Sequence, residues 1–243
     1  MITIIGTGHV FNLTQGLIET FDERQPDILC IELDRQRFNA LMLKQTDPEK
    51  YKQAGKNLPP IYKMLARMQE GLAEEYGVQP GQEMLTTIHY AQTHQIPIEF
   101  IDMNAQKLFS KMLKKMSIRE KIRLLFSGFG GLFVSKKKVE SELNDIQDNF
   151  DTYINQISKK FPTIKKILID DRNQYMVNQI KRLNERYQTL IAVVGDGHVP
   201  GLGELLKKEN IDFDTIRLSQ LRKISEMEKD PSSASFSISQ DNL

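Results

Sequence analysis

Ile4-Ile5-Gly6-Thr7-Gly8-His9-Val10, near the start of the chain, returns as Val193-Val194-Gly195-Asp196-Gly197-His198-Val199 nearly two hundred residues later. Each copy begins as a short apolar run and breaks into two glycines and a histidine. A continuous, β-branched run of this kind is the pattern of a strand buried on both faces, as in a parallel sheet. The glycines let the chain turn tightly and approach a ligand closely. A histidine placed there can present a ring nitrogen at the carboxyl edge of the sheet, where open α/β folds bind their ligands.

Further strand-like runs occupy residues 28–33 and 98–101, with a weaker one at 213–218, beside the 3–5 and 190–194 runs of the repeated motif. Helical periodicity fills the intervals at 13–21, 35–43, 61–76, 84–94, 105–116, 139–157, 172–187 and 202–208. Short strands alternating with longer helices define an α/β class, with a mostly parallel central sheet flanked by helices. The gap between the third and fourth strands is far longer than one crossover helix needs, so a helical insertion is expected over about 104–165. The domain is expected to span 1–228 as a single unit. The serine-rich residues 229–243 are expected to be disordered.

Composition narrows the function classes. A chain of 243 residues with 40% hydrophobic and 27% charged positions is an ordinary globular protein, neither disordered nor collagenous. Lys plus Arg total 33 against 32 Asp plus Glu, so no whole-molecule field attracts nucleic acid, and none is expected as a partner. The one cysteine, Cys30, lies in the apolar run 28–31; it reads as a core hydrophobe in a reducing compartment. Without a leader-like start, a cytoplasmic location is expected.

Charge is distributed unevenly. Residues 111–138 carry nine Lys or Arg and one acid, Glu120. Inside that region, 124–134 is uncharged, and too short for the roughly 20 residues that span a bilayer as a helix. A buried loop, a mobile flap and a peripheral membrane contact all remain open for it. The insertion also leaves homodimerisation open.

The groups able to do chemistry cluster at strand ends. His9 and His198 follow the first and fourth strands; Glu32 and Asp34 follow the second; Asp102 follows the third. Two imidazoles with one or two carboxylates suit a divalent transition metal with an open coordination position. Each acid alone reads equally well as a helix cap. Glu83 opens a helix, as a first-turn dipole partner or a site residue, and Arg172, beside Asn173, is either an ordinary ion pair or a fixed cation for a substrate. His89 and His94, five apart on one helix, make no metal pair. The spacing of Gly6, Gly8, Gly195, Gly197 and Gly201 departs from GxGxxG, which disfavours dinucleotide binding.

At these residues the chain resembles the TraB family, the pheromone-shutdown group with GumN-type and Tiki-type relatives. The matching pieces are residues 4–10, 26–34 with Arg37, 81–84, 168–176 and 193–201. Residues 101–104 read Ile-Asp-Met-Asn, where the family more often carries a second acid and an arginine. The resemblance implies an α/β fold with both histidines and Glu32 near one site. For Tiki-like relatives it also implies a metal-dependent peptidase. On that reading His9, Glu32 and His198 hold a divalent ion (Mn, Co or Zn), Glu83 is the general base and Arg172 stabilises an oxyanion. Gly6, Gly8, Asp34, Asp102, Asn173, Gly195 and Gly197 then contact substrate or support the ligands. The alternative is a protein that binds and sequesters a peptide without turning it over.

Overall fold

The computed structural model describes residues 1–8, 11–56, 81–123 and 158–227. The chain begins with β1 (Ile2–Thr7), α1 (Thr14–Arg24), β2 (Ile28–Ile31), α2 (Arg35–Thr46) and α3 (Pro48–Lys56). It continues with α4 (Gln82–Thr93), β3 (Ile98–Phe100) and α5 (Ala105–Lys115). A short helix, Pro162–Lys165, and a π-helical turn, Lys166–Asp170, lead into α6 (Asp171–Asn184). Then come β4 (Leu190–Gly195), a 3₁₀ turn (Asp196–His198), α7 (Val199–Lys208), β5 (Phe213–Ile216) and α8 (Leu218–Met227).

The five strands form one parallel sheet in the order β3-β2-β4-β1-β5, as the α/β reading requires. Side chains alternate between its faces with the period-2 geometry of a strand. Ile2, Ile4, Ile28, Cys30, Leu190, Ala192 and Val194 point to one face and meet Met176, Val177 and Ile180 of α6 and Leu202 and Leu206 of α7. Ile5, Leu29, Ile31, Ile191 and Val193 point to the other, against Leu17 and Phe21 of α1, Met84 and Ile88 of α4 and Leu221 of α8. Cys30 is fully buried in the first of these cores, as its apolar setting predicted, and burial pushes its thiol well above the ordinary range.

The two faces follow from connectivity. β1 and β2 both connect toward the β3 edge, so their right-handed crossovers lay α1 and α4 on one face. The connections from β3 to β4 and from β4 to β5 run the other way and lay α6 and α7 on the opposite face. The connections from the adjacent strands β1 and β4 therefore leave the carboxyl edge on opposite faces of the sheet.

Some expected boundaries shift. The second strand ends at Ile31 rather than residue 33, because Leu33 N–H turns back to Ile31 C=O (2.8 Å) and Asp34 starts α2 as its N-cap. The fifth strand ends at Ile216, and Leu218 belongs to α8, a helix with no counterpart in the periodicity reading. Helix 48–56 and the helical residues 162–170 are also additions, the first favoured by Pro at its opening position. His9, the expected helices 61–76 and 139–157, the run 124–134 and the tail 229–243 lie wholly or mostly outside the described residues. No helix among the described residues is long and apolar enough to cross a membrane.

α8 is an integral part of the core. Leu221 is fully buried, and the hydroxyl of Ser225 accepts from Gly16 N–H of α1 at 3.0 Å. Leu221→Ala is expected to destabilise the fold by about 2–5 kcal/mol. Urea unfolding should show a lower midpoint at an unchanged slope; an unshifted midpoint would place α8 outside the cooperative unit.

Candidate functional site

Residues from four segments meet above the carboxyl ends of β2, β3 and β4. Glu32 directly follows β2 and keeps the sheet hydrogen bond to Val193 C=O at 3.1 Å. Its Oε2 accepts from Gly195 N–H at 2.7 Å, which ties the end of β2 to the second glycine-histidine motif. Oε1 accepts from Arg172 Nη2 and lies 3.5 Å from His198 Nε2. His198 Nδ1 is 2.6 Å from Asn173 Oδ1. The oxygen of an amide can only accept, so the ring proton belongs on Nδ1, and neutral His198 turns its Nε2 lone pair toward Glu32.

Arg172 is the hub. Its Nε and Nη2 donate to Asp102 at 3.0 and 2.6 Å, Nη2 also reaches Glu32, and Nη1 donates to Leu168 C=O at 3.3 Å. Asp102, with only 1% of its side chain exposed, also accepts from Arg37 Nη2 and from Met103 N–H at 2.7 Å. Asp34 is both an N-cap and a linker. Its Oδ1 accepts from Gln36 and Arg37 N–H, while Oδ2 accepts from Arg37 Nε and from Ala105 N–H at the start of α5. A continuous network thus runs Asp34, Arg37, Asp102, Arg172, Glu32, His198, Asn173.

The local environment sets the protonation states. Burial favours a neutral Glu32 carboxyl and Asp102 adds to this, but His198, Arg172 and the Gly195 N–H outweigh both and hold it below the usual carboxylate range. Asp102 is likewise held low: burial is overcome by the Arg172 hydrogen bonds and charge, with Arg37 assisting. Burial pushes His198 down, with Glu32 opposing and Arg172 reinforcing. Near pH 7 the imidazole is neutral, so Arg172 is the cation that keeps Glu32 ionised there. Among the described residues, this network sets three carboxyl groups against two guanidinium groups, a formal excess of one negative charge.

The structure thus brings Glu32, Asp34, Asp102, Arg172, Asn173, Gly195 and His198 together. Glu83 is buried in the first turn of α4, after Gly81 at φ 81°. Gly6 and Gly8 lie at and just beyond the end of β1, and Gly197 lies in the turn that carries His198. His9 is outside the described residues. Among the described residues, no set of three His, Cys, Asp or Glu is disposed to hold a metal ion. His89 and His94 are exposed, His94 stacked on Tyr90 at 3.9 Å between ring centroids.

Asp196 and Arg217 form a separate ion pair, beyond β4 and β5. Asp196 accepts from Arg217 Nε and Nη2 at 2.9 and 2.6 Å and from Leu218 N–H at 2.8 Å. The carboxylate lies directly over Gly6, where a Cβ would come within 2.1 Å of Oδ1. Gly201 similarly leaves room for Asn173, since a Cβ there would stand 2.1 Å from Nδ2. The acid inside the second motif was the available signal for Asp196; nothing in the sequence ties Arg217 to it.

The chain is thus an α/β protein with a parallel sheet and a histidine-bearing charged network on the carboxyl edge of that sheet. The TraB/PrgY/gumN family profile matches residues 1–214, and the chain belongs to that family. It is 31% identical over 229 residues to an uncharacterized protein of Methanocaldococcus jannaschii, covering 91% of this chain and 58% of that protein. It is 21% identical to a TraB domain-containing protein of Bos taurus and 20% to that of Homo sapiens, each over 83% of this chain and 61% of the relative. The chain thus spans about three fifths of the length of these relatives. No solved structure matches it.

Arg172→Met leaves Glu32 without its guanidinium partner and Asp102 with Arg37 alone, and is expected to cost about 3–5 kcal/mol. Urea unfolding at pH 7 and pH 4 checks this, because the deficit should shrink as the carboxylates protonate. In the unmodified, metal-free protein, stability should fall in two stages on acidification. His198 has a folded pKa below its unfolded value, so its contribution is full above about pH 6.5 and declines below that. Glu32 and Asp102 contribute fully above about pH 4.5, and that contribution is lost as the pH falls through their lowered folded values. A denaturation midpoint flat from pH 7.5 to 4 would contradict this.

Proposed function

We propose that the protein is a metal-dependent hydrolase of the TraB type that acts on a peptide, with Glu32 and His198 as ion ligands and His9 as the third. The observation that carries this reading is the geometry of His198. Asn173 orients the ring, as the second partner of a metal-bound histidine does, and the opposite nitrogen faces a carboxylate oxygen at 3.5 Å. An imidazole lone pair and a carboxylate repel each other directly. Two ligands of one ion bound at about 2.0–2.2 Å stand roughly 3–3.5 Å apart, so the spacing fits a shared cation. The surplus negative charge of the network supports the same conclusion.

A divalent ion held there would supply Lewis-acid chemistry to a peptide carbonyl. The chain's own residues do the rest. Arg172 and the Gly195 N–H keep Glu32 ionised and oriented, and Asn173 keeps the His198 tautomer. Glu83 is the general base of this reading. Among the described residues Arg172 has one Nη1 N–H left over from its four contacts, and that donor is the part of it available to a substrate oxygen.

A second reading, peptide sequestration without turnover, draws support from one contact. The guanidinium of Arg172 shares Glu32 Oε1, the oxygen nearest His198, and competes with any second cation for it. Metal analysis of stripped protein reloaded with Mn, Co or Zn separates the two. The hydrolase reading expects one ion per chain, lost in His198→Ala and in Glu32→Gln, and peptide cleavage abolished by chelator. Cleavage that survives chelation and His198→Ala would refute it. Protein that takes up no ion on reloading, yet binds peptide and leaves its mass unchanged in the presence of each metal, would favour sequestration.

A further inference from the structure

Beyond Met116 the chain is helical again over residues 118–123, and one side chain fixes how that helix sits. Glu120 is buried and accepts from Ser117 N–H and Oγ–H at 2.9 and 3.0 Å, and from Thr163 N–H and Oγ–H at 2.9 Å each. At about 100° per residue, the side opposite Glu120 carries Ile118 and Ile122. These are 76% and 51% exposed, and Arg119 and Lys121, on either side of them, are exposed too. Leu113, Lys114 and Lys115 add one more exposed aliphatic group and two cations at the end of α5. Arg123 donates to Lys160 C=O at 2.6 Å, which brings Lys159 and Lys160 to the same end of the molecule.

The charge around these aliphatic groups has one sign. Residues 105–123 and 158–166 contain eleven Lys or Arg and a single acid, Glu120, which is turned inward. Three of the lysines, Lys111, Lys165 and Lys166, are paired with Asp170 or Asp171. Of the remainder, Arg119 and Lys121 flank the two isoleucines on their own helix.

We propose that this face docks the protein on an anionic lipid bilayer. Ile118 and Ile122 project from the side of the helix opposite its anchor, and a bilayer accepts projecting aliphatic groups without a matching pocket. The flanking cations would then lie at the depth of the headgroup phosphates, where each Lys or Arg strengthens binding roughly fivefold. A second copy of the same face would oppose cation to cation. A nucleic acid would satisfy the cations and leave the isoleucines in water. The surface is separate from the Glu32–His198 network and does not depend on what that network does.

Co-sedimentation of the full chain with phosphatidylcholine vesicles, with and without phosphatidylglycerol, tests the proposal. Binding is expected only with the anionic lipid and should weaken at high salt. The double variant Ile118→Ser/Ile122→Ser and, separately, Arg119→Gln/Lys121→Gln should each lose roughly tenfold or more in affinity. All four side chains are exposed, so far-UV circular dichroism should be unchanged in both. Equal binding to neutral vesicles, full binding by the isoleucine variant, or no vesicle binding at all would overturn the proposal. Binding of a DNA duplex at the same salt, with no vesicle binding, would assign the face to nucleic acid instead.

Discussion

Everything at the carboxyl edge depends on the guanidinium of Arg172 lying between Glu32 and Asp102. These carboxylates terminate neighbouring strands, and without a cation they would repel each other in a poorly solvated place. Arg172 answers both from the start of α6, a helix packed on one face of the sheet. Such a buried pair adds little net stability once desolvation is counted, yet removing one partner is expensive. Its value is positional. The residue after Arg172 is Asn173, so the helix orientation that satisfies the carboxylates also presents an amide to His198. The π-helical turn just before α6 belongs to the same device, because its Leu168 carbonyl receives a further Arg172 N–H. Such turns concentrate at functional sites.

The two glycine-histidine motifs are used differently despite their likeness. They lie on adjacent strands, but the ladder pairs Gly6 with Val194 and Thr7 with Gly195, so the second copy sits one residue further along the edge. At the position that differs, Thr7 donates to Val194 C=O, while Asp196 holds Arg217 and the start of α8. The first copy closes against its neighbouring strand. The second reaches out to the last helix and sets the turn that carries His198.

Burial at the basic end of the molecule follows another rule. There the inward group is a carboxylate, Glu120, and the outward groups are isoleucines. A carboxylate satisfied by four donors can be buried, whereas the two isoleucines gain nothing from facing water.

The class of fold, the places of the strands, the buried Cys30 and the membership of Glu32, Asp102, Arg172, Asn173 and His198 in one neighbourhood were all legible in the sequence. Strand periodicity and the rule that parallel strands end on one edge are local facts, and they suffice to collect Glu32, Asp102 and His198; Arg172 and Asn173 open a helix, and only the family resemblance placed them with the rest. Long-range choices were not legible. Which oxygen of Glu32 meets Arg172 and which meets Gly195, whether Asp34 caps a helix or enters the network, and the pairing of Asp196 with Arg217 depend on how helices cross the sheet. No spacing along the chain records that crossing. The place of α8 follows the same rule: its apolar stripe has meaning only against α1. The sequence determined which groups stand at the edge of the sheet; tertiary packing decided which of them touch, because contact between charges depends on the angle and depth at which separate elements meet.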